Sequence, residues 1–275
     1  MVRNFFLSLF IVFIFALSPL QSSAEAVLFF APTRVDISDQ NPIQEVRVTN
    51  TSSSPKSYTL SVHDLVMTES GVTTRVDGFD YSAKRMIRFV PRQFDIAPGK
   101  TQIVRIMARI SPATEDGQFH SHLEFLENVQ RSNELVAEED TEAKARMKAQ
   151  IAYATAIPVT LTKGEIKTQL DISDLDIRRN ERGQYMLSMV LGRSGNGQGN
   201  ALINTDYIAP DGTVTKAAAQ RPVYIYREID KRNHSFVLEL LDGVELQKGG
   251  QILVKLFNQN VSVTDPVKEM KLSID

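Results

Sequence analysis

Residues Gln150–Leu161 read QIAYATAIPVTL, and large side chains alternate there with small ones. One row holds Ile151, Tyr153, Thr155, Ile157, Val159 and Leu161, and the other holds three alanines, Pro158 and Thr160. Because a β-strand sends successive side chains to opposite faces, this spacing predicts a strand with one apolar row. The periodicity leaves two interpretations open: a core strand of a β-sandwich, or an exposed strand that another protein receives.

Length and composition limit the classes to which this chain can belong. Its 275 residues, 42% hydrophobic and 23% charged, suit one large or two ordinary folded domains. A net charge of −2 gives no overall basic field to attract nucleic acid or an anionic membrane. The chain has no cysteine, which excludes disulfides, cysteine metal ligands and a cysteine nucleophile.

The first 26 residues predict a secretory signal peptide. Arg3 precedes the apolar run Phe5–Leu17, and small residues offer a cleavage site after Ala24 or after Ala26. The alternative is a membrane anchor, but the run is shorter than the roughly 20 residues that span a bilayer. We therefore expect an exported mature protein that does not insert directly into a membrane.

Short strands separated by turn residues follow the signal peptide, and no stretch has a convincing helical period. Pro32 and Pro91 each interrupt a strand-like run; because proline lacks a backbone N–H, such a strand lies at an edge or changes partners. Pro98-Gly99 is typical of a type II turn. The pattern predicts an immunoglobulin-like sandwich.

A second set of strands is predicted after a linker at Gly164–Gln169. Its members are Asp171–Arg178, Gln184–Gly192, Ala201–Tyr207, Val223–Arg227, Ser235–Leu240 and Gln251–Phe257. We therefore expect an all-β protein with a signal peptide at 1–26 and two immunoglobulin-like sandwich domains at 27–163 and 164–275. The charged run 128–149 is either a short solvated helix or a disordered hairpin tip.

Several motifs of the first predicted domain occur together in one known family. They are Ala31-Pro32-Thr33-Arg34, Val46–Asn50, Arg92–Gly99 followed by Gln102–Arg105, and Asp116–Leu123. The chain from about 27 to 163 resembles the periplasmic pilus (fimbrial) chaperones of the chaperone–usher pathway, the PapD-like family, and the remainder resembles them weakly. The resemblance implies a boomerang of two immunoglobulin-like domains, with pilus subunits and an outer-membrane usher as partners. The lack of cysteine suggests a divergent branch.

The resemblance also implies how such a protein acts. These chaperones lend the last strand of their first domain to a subunit that lacks one, which is donor-strand complementation. Here the donor row would be Ile151, Tyr153, Ile157, Val159 and Leu161. Arg34 matches the arginine that binds the subunit's terminal carboxylate, whereas Pro158 replaces the lysine expected beside it. Lys163, Arg105 or Arg109 could substitute, and a self-capping dimer through the exposed strand stays open.

Catalytic chemistry is not predicted. Of the four histidines, His120 and His122 share a strand face with Glu124, a spacing that would suit metal ligands. No convincing third ligand is evident, and a structural or surface role is expected. Ser121 and His122 are neighbours on a strand and point oppositely, so they do not form a nucleophile–base pair. We expect no catalytic residue, metal or cofactor. The alternative function is a secreted two-domain immunoglobulin-like binding or adhesion module.

Overall fold

The computed structural model of the protein describes residues 28–128 and 152–274. The predicted signal peptide, nearly all of the charged run 128–149, and Ile151 lie outside the described residues. Within the two described ranges the chain forms β-strands and no helix. Accordingly, none of these residues belongs to a helix long and apolar enough to cross a membrane.

The first sandwich has ten described strands, nine from residues 28–128 and one from the beginning of residues 152–274. They are β1 Leu28–Ala31, β2 Val35–Ser38, β3 Ile43–Asn50, β4 Lys56–Met67, β5 Thr73–Val76, β6 Ile87–Val90, β7 Gln93–Ile96, β8 Thr101–Ala108, β9 Gly117–Glu127 and β10 Ala154–Lys163. One sheet has the order β1-β3-β8-β6, and the other has the order β2-β10-β9-β4-β5 with β7 also paired to β4. These two sheets enclose the first core.

The two predicted proline breaks are the places where the chain crosses between these sheets. β1 pairs with β3 in the first sheet, and after Pro32 the chain continues as β2, which pairs with β10 in the second sheet. After Pro91 the chain likewise passes from β6, paired with β8, to β7, paired with β4. The sequence left open an edge strand or a change of partners, and both are found: β1 and β6 are the edges of the first sheet, and each chain segment changes sheets after its proline, which has no N–H to contribute to a ladder.

Alternate side chains of the two sheets fill the first core. Val46 pairs directly with Val104 across β3 and β8, and both side chains are fully buried. Leu123 and Phe125 of β9 face them from the second sheet and are equally buried. Burying such side chains contributes roughly 1.5–3 kcal/mol each, and this burial fixes which face of every strand turns inward.

Eight more strands form the second sandwich. They are β11 Thr168–Arg179, β12 Tyr185–Gly195, β13 Gly199–Ile208, β14 Val214–Lys216, β15 Arg221–Ile225, β16 Lys231–Val237, β17 Gln251–Asn258 and β18 Lys268–Ser273. One sheet has the order β11-β12-β16, and the other has the order β14-β13-β17-β18 with β15 also paired to β13. The sequence prediction missed β14 and β18, because both are sheet-edge strands whose side chains are largely exposed and polar.

The two cores share no residue. The first is built from residues between Val35 and Leu161, and the second from residues between Leu170 and Ile274. The protein is therefore all-β, with two immunoglobulin-like sandwiches, as the sequence predicts. The connection between β10 and β11 separates the cores, and the proposed domain limits at 163 and 164 stay a prediction.

Candidate functional site

The two edges of β10 are paired to different extents. On one side, every residue from Ala154 to Lys163 pairs with β9 in antiparallel register. On the other side, β2 runs parallel to β10 and pairs only with Val159–Thr162. The outer edge of Ala154–Pro158 therefore faces no described strand. Such an edge presents backbone N–H and C=O groups to which another strand can add.

The apolar row predicted on this strand divides into two parts. Ile157, Val159 and Leu161 are 4%, 0% and 0% exposed and belong to the first core. Because β2 pairs with Val159–Thr162, the C-terminal half of β10 faces the protein's own core in the free protein, and the assignment of these three residues to a donor row stays a prediction. For these three residues, the structure supports the core-strand interpretation.

The N-terminal end of the row has the opposite environment. Tyr153 is 61% exposed, and its backbone oxygen accepts a hydrogen bond of 2.9 Å from the Glu127 amide. Thr155 follows it in the same row and is also exposed, as are the alanines on either side. Ile151, the first residue predicted in this row, lies outside the described residues. An aromatic side chain thus projects into solvent beside the unpaired edge.

Arg34 lies where the unpaired edge meets β2. It directly precedes Val35, which pairs with Val159, so Arg34 lies beside Pro158 on the face away from the core. Its Nη2 donates a hydrogen bond of 2.9 Å to Gln198 Oε1, and its guanidinium carbon is 4.3 Å from the centre of the Tyr224 ring. Arg34 is therefore held at the junction of the two sandwiches.

The three residues considered as a second cation are placed elsewhere. Lys163 Nζ donates to the backbone oxygens of Pro112 and Thr114. Arg105 forms a 3.0 Å ion pair with Glu45. Arg109 lines a different hollow, near Ser38. Among the described contacts, none joins any of these cations to Arg34.

Glu228, in the loop between β15 and β16, links the second sandwich to the first. Its Oε2 lies 2.9 Å from His120 Nε2, and its Oε1 accepts a 2.7 Å hydrogen bond from the Met67 amide. Tyr226, two residues earlier, packs against His120 in a tilted arrangement with ring centres 4.4 Å apart. One short loop of the second sandwich therefore contacts both β4 and β9 of the first.

Arg227, between these two residues, strengthens the same junction. Its Nη2 donates to Glu115 Oε1 at 2.9 Å, and its Nη1 donates to the Gln118 backbone oxygen at 3.2 Å. The guanidinium carbon is 4.0 Å from the centre of the Tyr81 ring. The arginine is almost fully buried, and a buried charge needs compensation. Glu115 and the face of the Tyr81 ring supply it.

The histidine pair of β9 belongs to this junction. His122 is buried, and desolvation, together with electrostatic repulsion from the neighbouring His120 and Arg34, lowers its pKa to about 4. Glu124, the third candidate ligand, instead contacts His63 at 3.2 Å and also Arg75. Within residues 28–128 and 152–274, no group of three potential metal ligands is assembled. His122 is thus neutral and packed between the sandwiches.

Sequence reasoning did not find the junction residues Gln198, Tyr224 and Glu228. One signal was present in β9, whose sequence GQFHSHLEFLE places His120 and His122 on the face opposite Phe119 and Leu123. Both faces of this stretch are buried, which is unusual for the strand of a single sandwich and indicates that something covers its outer face. The covering residues themselves carry no recognisable motif.

Fold and site together define a class of all-β proteins with two immunoglobulin-like sandwiches. In this protein one edge of β10 is unpaired over Ala154–Pro158, near the junction of the sandwiches. No protein-family model matches the chain, and no curated protein matches it. Fimbrial chaperones are among the solved structures similar to it. The class 5 fimbriae chaperone CfaA is 12% identical, with a TM-score of 0.43 over 90% of this chain and 98% of that one.

Two further solved structures have the same degree of similarity. One is from the CsuC–CsuE chaperone–tip adhesion subunit pre-assembly complex of the archaic chaperone–usher Csu pili of Acinetobacter baumannii; it is 12% identical, with a TM-score of 0.44 over 90% of this chain and 97% of that one. The other is the YadV chaperone, also 12% identical, with a TM-score of 0.44 over 90% of this chain and 100% of that one.

Proposed function

We propose that this protein is a periplasmic chaperone that binds pilus or fimbrial subunits by donor-strand complementation and delivers them for assembly at an outer-membrane usher. One observation supports the proposal most strongly: β9 covers one edge of β10 throughout, whereas β2 covers the other edge only from Val159. The predicted signal peptide and the absence of cysteine fit an exported protein. The proposed role needs no nucleotide, cofactor or catalytic step.

The free edge of Ala154–Pro158 would act by completing an unfinished sandwich. A subunit that lacks a strand exposes unpaired backbone groups and a hydrophobic groove, and both are costly in water. Pairing with the edge satisfies the backbone groups, and alternate side chains of the lent strand fill the groove. Tyr153 is the described apolar side chain available for this, and Ile151, which the sequence predicts in the same row, lies outside the described residues. Each large apolar side chain buried would contribute roughly 1.5–3 kcal/mol before ordering costs.

Arg34 would set the register of the captured strand. It lies beside Pro158, at the end of the free edge, where a guanidinium can bind a terminal carboxylate through two hydrogen bonds. Pro158 is five positions from Tyr153, which is about 16 Å along an extended strand. A carboxylate fixed at Arg34 would therefore determine which subunit side chain meets Tyr153.

The alternative, a secreted two-domain binding or adhesion module, is favoured by a different observation. Ile157, Val159 and Leu161 are buried in the protein's own core, as they would be in a sandwich that lends nothing. In this alternative, no subunit that lacks a strand binds to the free edge of β10. The two functions therefore differ in what happens to Ala154–Pro158 when a subunit is present.

Hydrogen exchange tests the proposal. The mature protein is co-expressed in the periplasm with a pilus subunit from the same source whose sandwich lacks one strand, and the purified complex is compared with the free protein. We expect the amides of Ala154–Ile157 to become protected in the complex, while β17, in the second core, is unchanged. A complex that forms without protecting this edge contradicts strand donation. Failure to form a complex supports the binding-module alternative.

A further inference from the structure

Gln198, from the turn before β13, is held rigidly against Arg34. Its side chain is 3% exposed, and its backbone N–H donates a 2.8 Å hydrogen bond to Gln118 Oε1 of the first sandwich. Its backbone oxygen accepts from Asn260 Nδ2 at 3.2 Å. The side-chain Oε1 then accepts from Arg34 Nη2. The position of this amide is therefore fixed by contacts from both sandwiches.

The hydrogen bond to Arg34 leaves the other half of the Gln198 amide unused. Because Oε1 is the acceptor, the two hydrogens on Nε2 remain available to donate. No described residue accepts a hydrogen bond from Nε2. The amide nitrogen thus adds a neutral donor beside the guanidinium, at a place where none of the three candidate cations contacts Arg34.

Tyr224 holds the guanidinium from a second direction. The guanidinium carbon of Arg34 lies 4.3 Å from the ring centre, within the range of a cation–π contact. Tyr224 is fixed in β15 by its pairing with Asn200 of β13, and its backbone oxygen accepts from Arg232. With one face covered by the ring and Nη2 bonded to Gln198, the guanidinium has a single preferred orientation.

Among the described residues, no carboxylate lies within hydrogen-bonding distance of the Arg34 guanidinium. Asp36 Oδ1 is 3.7 Å from Arg34 Nε, beyond hydrogen-bonding distance, and the Asp36 side chain is largely exposed. Arg34 Nε itself is buried without a hydrogen-bond partner. The positive charge is therefore only weakly compensated within the described part of the protein, which favours binding of an external anion.

We propose that Gln198 and Tyr224 of the second sandwich complete a carboxylate site around Arg34, with Gln198 Nε2 as the second donor and Tyr224 as a positioning residue. The inference rests on the proposed function and assigns the ligand as the C-terminal carboxylate of a captured strand. Since Arg34 belongs to the first sandwich, the site exists only while the two sandwiches keep this arrangement. Recognition of the subunit's end is then a property of the junction, whereas strand pairing belongs to β10 alone.

The test compares two N-acetylated five-residue peptides of alternating valine and threonine, one ending in a free carboxylate and the other in an amide. Gln198→Glu is nearly isosteric, but it places a carboxylate against Arg34 and removes the free N–H donors. Gln93→Glu is the matched control with the same charge change: Gln93 pairs with Thr59, about 26 Å along β4 from the junction contact at Met67. Calorimetry measures both affinities for each protein.

We expect the wild type and Gln93→Glu to bind the carboxylate form about tenfold more tightly than the amide form, and Gln198→Glu to lose this preference. Tyr224→Leu should reduce the preference and Tyr224→Phe should keep it, which a purely structural role would not predict. If Gln198→Glu does not fold, the two Tyr224 variants test the inference in its place.

The other outcomes separate this inference from the proposed function. An unchanged preference in Gln198→Glu and Tyr224→Leu overturns the inference and leaves strand capture standing. Equal binding of both peptides by the wild type overturns the whole carboxylate site, including Arg34. If the wild type binds neither peptide, capture at β10 fails and the inference fails with it.

Discussion

Glu228 Oε2 lies 2.9 Å from His120 Nε2, and this contact joins a loop of the second sandwich to β9 of the first. The same carboxylate also accepts from the Met67 amide at 2.7 Å. Both contacts are shielded from solvent, where an unpaired partner is costly. This carboxylate is therefore one of the groups that fix the relative placement of the two sandwiches, together with Arg227 and Gln198.

We predict that Glu228→Ala lowers the free energy of unfolding by about 1–3 kcal/mol, because it leaves the Met67 amide and His120 without their acceptor. Urea unfolding measures the change. Glu239→Ala is the control, since Glu239 is exposed on the same sandwich. Equal, small effects of the two substitutions would mean that the junction does not depend on Glu228.

The division of β10 gives a second prediction. Ile157→Asp should abolish folding or cost more than about 4 kcal/mol, because it places an unpaired charge in the first core. Tyr153→Asp, in the same row, should change stability by less than about 0.5 kcal/mol but prevent capture of a subunit. Thermal unfolding and co-purification measure the two effects. A Tyr153→Asp protein that captures normally would exclude this side chain from the interface.

Lowering the pH should decrease the free energy of unfolding because of His122. Its pKa is about 6.5 when unfolded and about 4 when folded, so below pH 6.5 the unfolded chain binds a proton that the folded protein excludes. Stability is therefore complete above pH 6.5 and falls as the pH drops towards 4. Near this imidazole, Arg34 and His120 oppose its protonation, whereas Glu228 and Asp64 favour it.

Replacing His122 by asparagine should remove this pH dependence. At about 1.4 kcal/mol per pH unit, the wild type should lose roughly 2 kcal/mol more than His122→Asn between pH 7 and pH 5. Urea unfolding at the two pH values gives the difference. Parallel losses in the two proteins would show that His122 is protonated equally in both states.

Pro158→Lys tests the anion site by adding a second positive charge to it. The lysine would lie beside Arg34 and supply the second cation that the family resemblance expects there. We predict about fivefold tighter binding of a carboxylate-terminated peptide, diminishing at high salt, with Pro158→Ala as the control for the new backbone N–H. A gain that is equal for the amide-terminated peptide would assign the effect to the backbone instead.

The strands were predictable because their side chains alternate, and the sheet changes at Pro32 and Pro91 were predictable because proline cannot continue a ladder. The division of β10 was not, because its periodicity is uninterrupted from Ile151 to Leu161. Burial there depends on where β2 begins to pair, and that pairing joins residues more than a hundred positions apart.

The partners of Arg34 were equally hidden. Gln198 lies in the run RSGNGQGN, which looks like an ordinary loop, and its role comes from a hydrogen bond across 164 positions of the chain. His120 and His122 were expected to be structural or surface residues, and both are buried at the junction. The sequence gives no indication that Tyr226 and Glu228 cover them, since packing between two sandwiches follows no period.

The parallel pairing of β2 with β10 closes the free edge at its C-terminal end. An added strand that advances along Ala154–Pro158 is stopped at Val159, where β2 already occupies the ladder. Captured strands of unequal length would therefore all be aligned at the end next to Val159. Their differences in length would appear at the opposite end, towards Tyr153.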